Sequence, residues 1–271
     1  MRLPASSIAA LRLGAAALTL IAVAATFLST ASRATINPFN FFGFFTIQSN
    51  LLAAAVLAVT AVLVLLGRVV PAWLVLARAA TTAYMIVVGL VYNTLLVGLA
   101  GGVELPWANT VLHIVFPLYC LLDWALVADR DPLPWRRLWI VLVYPVLWCT
   151  VVLLRGATDG WVPYPFLNPV TGYGSVLFYV LLIAVTVVTA GAVVFGLSRV
   201  RPVAVGAGEP VRPRGWAGRT RACAGPGRAR RCPTPRAGDC RRGRTSGWRP
   251  RTAWTRWCAA PHPWTGRYAG P

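Results

Sequence analysis

Long blocks of apolar residues, separated by short polar or proline-containing segments, dominate the first two hundred positions of the chain. Each block is close to the ~20 residues that an α-helix needs to cross the hydrocarbon core of a bilayer. The blocks lack the alternation of membrane β-barrel strands and the one-sided stripe of soluble amphipathic helices. The pattern predicts an all-α integral membrane bundle of six transmembrane helices, at about residues 8–32, 44–66, 73–99, 107–128, 138–154 and 174–197.

The composition agrees with membrane insertion. The 271 residues are 57% hydrophobic and 12% charged, and that charged fraction is about half the usual value for a soluble domain. The first block follows Arg2 and Arg12 and ends in small residues, a pattern also typical of a secretory signal peptide. Its apolar run is long for a signal peptide, so a retained helix is favoured while the other interpretation stays open.

The arginines of the short loops predict the orientation. Eight of them fall on the side that holds the N-terminus and the start of the tail, and two, Arg33 and Arg155, fall on the other side. Because cytoplasmic loops carry an excess of positive charge, both termini are expected in the cytoplasm. The expected location is the plasma membrane, as a multi-pass protein.

The chain changes character at about residue 202. Residues 1–201 form the predicted membrane domain, whereas residues 202–271 contain 15 Arg and 2 acidic residues and consist mainly of Arg, Gly, Ala, Pro and Trp. Such a segment buries too little apolar surface to fold by itself. Three interpretations stay open: a basic arm for anionic lipid or nucleic acid, a disordered tail without a role, and a shifted reading frame in a GC-rich gene.

Recognisable soluble-enzyme and metal motifs are missing from the sequence. No cysteine pair has the CxxC spacing of a zinc site, and there is no HExxH, GxSxG or glycine-rich phosphate loop. We therefore expect no metal, no cofactor and no specific nucleic-acid partner. Membrane lipids are the expected partners.

Several polar residues lie inside the predicted spans, where an unpaired polar group is costly. Thr46 and Asn50 begin the second span, and His113 lies six residues after Trp107, or ~9 Å along the fourth. Asn109 precedes His113 by one helical turn. Asn93 reaches the same side near the end of the third span, so these residues are candidates for a shared site.

Two interpretations of this cluster stay open. A Thr hydroxyl with a nearby His base can act as a nucleophile, giving Thr46 and His113 catalytic roles and making Asn50 or Asn93 an oxyanion donor. Alternatively, the same side chains hydrogen-bond backbone carbonyls and hold helices together.

A second pair of polar residues is interpreted as structural. Arg78 and Asp123 lie at similar depths near the opposite end of the bundle, which predicts an ion pair, although a proton-coupled transporter would use the same residue types. Pro117 and Pro145 lie within the fourth and fifth spans and predict kinks.

Four motifs carry a resemblance to a known family. They are Phe45-Thr46-Ile-Gln-Ser49-Asn50, Trp107-Ala-Asn109-Thr-Val-Leu-His113-Ile-Val-Phe-Pro117, Asp123-Trp124 and Tyr164-Pro-Phe166. Over about residues 10–200 the chain resembles the bacterial Pr-six-Pr membrane proteins, which are more distantly similar to the androgen-induced, FAR-type membrane hydrolases.

The resemblance implies a six-helix fold and a specific chemistry. The FAR-type enzymes hydrolyse fatty acid esters of hydroxy fatty acids with an intramembrane Thr and His, and by position these correspond to Thr46 and His113. The expected function is therefore an intramembrane hydrolase of lipid esters. The alternative is a non-enzymatic membrane protein, either a small-molecule carrier or a helical scaffold.

Overall fold

A computed structural model describes residues 2–96, 105–200 and 203–206. Across these residues the protein is an all-α bundle in which six helices are long and apolar enough to cross a membrane. This confirms the predicted fold class. The end of the predicted third span, the Gly101-Gly102 turn and almost all of the predicted tail lie outside the described residues.

The described residues form eight α-helices: α1 (Ala5–Arg33), α2 (Pro38–Phe41), α3 (Phe45–Leu65), α4 (Ala72–Val91), α5 (Pro106–Thr110), α6 (Phe116–Leu126), α7 (Ile140–Thr158) and α8 (Tyr173–Leu197). A π-helical turn, Tyr92–Leu96, extends α4, and a second, Val111–Val115, joins α5 to α6. Single 3-10 turns lie at Trp135–Arg137, Pro165–Leu167 and Pro169–Thr171. We call the end of the bundle with residues 34–44 and 159–172 the distal face, and the opposite end the terminal face.

Local sequence sets the helix ends. Asn37 caps α2 through a hydrogen bond that the Phe39 N–H donates to its side chain, and Pro38 occupies the first turn, where no N–H is needed. Gly67 follows α3 with a φ of 64°, a conformation that costs glycine little, and Pro71 directly precedes α4.

Helix α4 lies at the centre of the bundle. In the most apolar stretch of the membrane span that contains α4, 67% of the residues are buried. In the corresponding stretch of the span that contains α7, only 17% are buried. Small residues such as Ala79 and Ala83 let neighbouring helices approach it closely. The outward-facing Leu and Val side chains of the other helices are the surface expected to contact acyl chains.

Three short strands, which the sequence pattern did not predict, form a parallel sheet at the terminal face. They are β1 (Arg2–Pro4), β2 (Val127–Ala128) and β3 (Val203–Gly206), in the order β1-β3-β2. Parallel strands must come from well-separated parts of a chain. No local signal therefore marks their pairing.

The predicted ion pair between Arg78 and Asp123 is wrong. Asp123 accepts from Arg12 Nε at 2.9 Å, whereas Arg78 donates through Nη1 to Asp129 at 2.8 Å. Arg12 also contacts Asp129, at 2.7 Å. The depth argument placed Arg78 and Asp123 correctly at one end of the bundle. It missed that Arg12 of α1 and the loop carboxylate of Asp129 meet them there.

Arg130 completes this network at the terminal face. Its guanidinium lies 3.8 Å from the centroid of the fully buried Trp124 ring and donates to the Val127 and Trp124 carbonyls at the end of α6. Donation to these carbonyls at the end of the helix anchors the following loop. Five residues, Arg12, Arg78, Asp123, Asp129 and Arg130, thus hold α1, α4 and α6 together.

Candidate functional site

An almost entirely apolar cavity of about 90 Å³ lies between α3, α4, α7 and α8 and reaches the distal face. Valine, leucine, isoleucine and proline side chains form most of its wall. Its few polar side chains are at the distal end, where Thr46 and Tyr164 lie. The remaining polar lining residues are Tyr92, Trp148 and Cys149.

Thr46 lines this cavity at the second position of α3. Backbone N–H groups in the first turn of a helix have no carbonyl partner within the helix. The Thr46 N–H instead donates to the Tyr164 hydroxyl, at 3.4 Å. The start of α3 is therefore joined to the loop of residues 159–172, which we call the distal loop, at the point where the cavity is most polar.

Tyr164 belongs to a loop that covers the cavity at the distal face. Its ring stacks on Phe166 with a centroid separation of 5.2 Å and meets Phe44 edge-on at 5.8 Å. Burial raises the pKa of the Tyr164 phenol. The hydroxyl therefore stays protonated at neutral pH and can both accept from Thr46 and donate.

Asn50 connects the Thr46 turn to the segment that carries His113. It is completely buried, and its Nδ2 donates to the Thr46 carbonyl at 2.8 Å and to the Leu112 carbonyl at 3.2 Å. Its Oδ1 has no hydrogen-bond partner among the described residues. Since both amide hydrogens are engaged, the predicted oxyanion role of Asn50 has no free donor.

His113 lies in the π-helical turn Val111–Val115, immediately before Pro117 breaks the backbone ladder. Its Nδ1 lies 3.0 Å from the Asn109 carbonyl. A carbonyl can only accept, so Nδ1 carries the proton and Nε2 keeps its lone pair. This tautomer suits a general base.

Tyr92 stands between His113 and the cavity. It lines the cavity, and its ring stacks on the imidazole with centroids 3.7 Å apart. Its hydroxyl accepts a hydrogen bond from Asn109 Nδ2 at 2.6 Å. His113 itself is not among the lining residues, and no hydrogen bond joins it to Thr46 in the described parts of the chain.

Reasoning from the sequence therefore predicted only part of this arrangement. The structure brings Thr46, Asn50 and the His113 turn together, whereas Asn93 is exposed and donates to the Gly89 carbonyl of its own helix. The roles of Tyr92 and Tyr164 were missed. The sequence signal available for Tyr92 was its polar neighbour, and the signal available for Tyr164 was the proline that follows it in the loop.

Comparison with known proteins adds no assignment: no family model, no curated protein and no solved structure matches this chain. Within the described residues, no group of three or more His, Cys, Asp or Glu side chains is placed to hold a metal ion.

Proposed function

We propose that this integral membrane protein binds the hydrocarbon chain of a lipid in the cavity beneath Thr46. The observation that carries the proposal is the asymmetry of the cavity, whose wall is apolar except at the distal end. Ligand sites are typically apolar clefts with a few placed polar groups. Polar groups confined to one end suit an amphiphile. The lipid's polar end would then meet Thr46 and Tyr164.

A cavity-filling substitution tests this binding. Ala184 lines the cavity and is half-buried, so Ala184→Phe should fill it and weaken binding of a fluorescent fatty acid or fatty alcohol by at least tenfold. Ala55 is exposed on α3 and faces outward, so Ala55→Phe is the matched control. Equal affinities of the two variants for both ligands would contradict the proposal.

A second candidate function is hydrolysis of a fatty-acid ester bound in this cavity. The position of Thr46 at the polar end favours it, as does the tautomer of His113, whose Nε2 carries no proton. Thr46 Oγ1 would attack the ester carbonyl and pass its proton to His113. His113 would return a proton to the departing alkoxide, and water would then cleave the acyl-threonine. Tyr92 must turn away from the imidazole before His113 can reach Thr46.

Covalent labelling tests the hydrolase. A fluorophosphonate should label the wild type and Thr46→Ser, should not label Thr46→Ala, and should label His113→Asn at least a hundredfold more slowly. Thr60→Ala is the control, because Thr60 lies on the same helix and its hydroxyl only donates to the Val56 carbonyl. Undiminished labelling of Thr46→Ala would exclude Thr46 as the nucleophile and would leave the lipid-binding proposal in place.

Kinship with the Pr-six-Pr proteins, and through them with the FAR-type hydrolases, is part of the same proposal. The support for it is the motif resemblance together with the position of Thr46 at the cavity. If labelling and ester turnover are both absent while lipid binding persists, the carrier or scaffold alternative replaces the hydrolase.

We also propose that the protein lies in the plasma membrane with its terminal face in the cytoplasm. The excess of loop arginines on that side supports this orientation. In intact cells, a cysteine introduced at the exposed Val170 should react with an impermeant maleimide, and one at the exposed Val69 should not. The reverse result would overturn the orientation.

A further inference from the structure

A second, larger cleft opens at the distal face beside the cavity. Its volume is about 550 Å³, and its wall mixes aromatic and polar side chains. The residues that line it are Asn37, Phe39, Phe42, Gly43, Gln48, Trp148, Val151, Val152, Arg155 and Trp161. We call it the distal cleft.

Arg155 supplies the charge of the distal cleft, since it is the one ionisable residue among those that line it. Its guanidinium lies 4.3 Å from the centroid of the Trp161 ring. Nε and Nη2 bind the Asp159 carboxylate, and Nη2 also donates to Asn40 at 2.8 Å. Nη1 has no partner among the described residues, so two donors remain for an anion.

The ion pair with Asp159 occupies the Nε and Nη2 edge of the guanidinium and leaves the Nη1 edge for an anion. Asp159 is not part of the cleft wall, and its side chain is 48% exposed. Ion pairs at such exposed positions contribute little, whereas a planar guanidinium held in place by Trp161 is well suited to an oxyanion.

Trp148 connects the distal cleft to the apolar cavity. It is the one residue that lines both spaces, and its Nε1 donates to the Gly43 carbonyl at 2.9 Å. The two spaces therefore share the Trp148 side chain as part of their walls. One faces the polar end of the bundle, and the other lies among apolar side chains inside it.

We propose that the distal cleft and the cavity form one site for an anionic single-chain amphiphile. The oxyanion head, a carboxylate or a phosphate monoester, binds Arg155 in the cleft, and the chain passes Trp148 into the cavity. This inference rests on the proposed binding of a lipid chain and adds the chemistry of the head group and the path of the chain.

Ligand binding to the full-length protein in phosphatidylcholine nanodiscs tests both parts of the proposal, the head-group site and the path of the chain. The ligands are palmitate, hexadecyl phosphate and hexadecanol, which share a sixteen-carbon chain, and butyl phosphate, which has a short one. Arg155→Gln should weaken binding of hexadecyl phosphate or palmitate at least tenfold and leave hexadecanol binding unchanged, because it removes the charged hydrogen bonds to the head group. The anion whose affinity falls more in Arg155→Gln identifies the head group that the cleft prefers.

Matched variants separate the head from the chain. Arg33 is exposed at the same face, so Arg33→Gln should leave all affinities unchanged and control for surface charge. Ala184→Phe should weaken hexadecyl phosphate but not butyl phosphate. Arg155→Lys, which keeps the charge, should retain more phosphate binding than Arg155→Gln. Hexadecanol binding reports that the arginine variants are folded, and butyl phosphate binding reports that Ala184→Phe is folded.

The outcomes are distinguishable. If hexadecanol binds but Arg155→Gln affects no ligand, the head-group assignment is overturned and lipid binding in the cavity stands. If butyl phosphate is as sensitive to Ala184→Phe as hexadecyl phosphate, the division into head and chain spaces is wrong. If none of the sixteen-carbon ligands binds, the proposed function fails and this inference fails with it.

Discussion

Asn50 shows how one polar residue positions a site inside an apolar bundle. It is fully buried and bridges the Thr46 carbonyl on α3 and the Leu112 carbonyl in the π-helical turn. A side-chain amide offers two hydrogens, and both are used. The position of Thr46 relative to the His113 segment therefore depends on Asn50 more than on any direct contact between the two.

Replacing Asn50 should loosen this connection. Asn50→Ala removes both of these hydrogen bonds in an apolar setting, and we expect a loss of about 1–2 kcal/mol of unfolding free energy. Thermal unfolding in detergent measures it. Asn93→Ala is the matched control, because Asn93 is exposed and bonds only its own helix. Losses of the same size in both variants would show that Asn50 has no special bridging role.

Asp129 makes the network at the terminal face sensitive to acid. Burial favours its neutral form, but the hydrogen bonds and charge of Arg78, and the charge of Arg12, outweigh burial and lower the pKa well below its usual range. A carboxylate with a lowered pKa stabilises the fold fully above its ordinary pKa of about 4. That stability is lost as the pH falls through the lowered pKa.

The melting temperature should therefore stay constant from pH 7 to about pH 5 and fall below about pH 4. In Asp129→Asn we expect a lower melting temperature at pH 7 and a weaker decline in acid, measured by thermal unfolding over that range. An acid decline as steep as that of the wild type would mean that other carboxylates cause it.

At the scale of elements, Arg12 anchors α1 to the rest of the bundle. The residue is 1% exposed and contacts both carboxylates of the network, at 2.9 and 2.7 Å. Without it, Asp123 loses its ion-pair partner among the described residues. The helix that the sequence also permits as a signal peptide is thus tied into the bundle by a buried charge.

Arg12→Leu should consequently destabilise the bundle by about 3–5 kcal/mol, the cost of leaving buried carboxylates without their partner. Arg68→Leu, at an exposed loop position, should change stability by less than about 0.5 kcal/mol. Chemical unfolding of the purified protein in mixed micelles compares the two. A loss below about 1 kcal/mol for Arg12→Leu would contradict the structural role assigned to the network.

The distal loop depends on close packing at Gly43. A Cβ there would lie 2.5 Å from the Trp161 ring and 2.9 Å from the Phe39 carbonyl oxygen. Both distances are far below van der Waals contact, and the Phe39 carbonyl belongs to the backbone. A larger residue at position 43 would therefore force Trp161 or the Phe39 backbone to shift.

Gly43→Ala should displace Trp161 and speed amide hydrogen exchange across residues 159–172 by about tenfold or more, as local opening becomes easier. Hydrogen exchange with mass spectrometry measures this segment directly. Gly14→Ala is the control, since a Cβ at residue 14 meets nothing within 4 Å. Unchanged exchange in Gly43→Ala would show that the loop accommodates the extra methyl group.

For the whole molecule, prediction from sequence succeeded where apolar residues dominate a long segment. Six apolar blocks gave six helices because, in lipid, a helix satisfies its own backbone hydrogen bonds. It failed for the ion pair. Depth along a helix says nothing about azimuth or about loop residues such as Asp129, and these decided which charges met.

The amino-acid sequence alone determined that this chain forms an apolar helical bundle, because hydrophobic length is a property of each segment by itself. Only the tertiary structure decided that Tyr92 separates His113 from the cavity, that Tyr164 reaches the Thr46 turn, and that Arg12 pairs with Asp123. These are contacts between side chains on different segments. They depend on how each helix is rotated about its axis, which close packing sets and no single segment encodes.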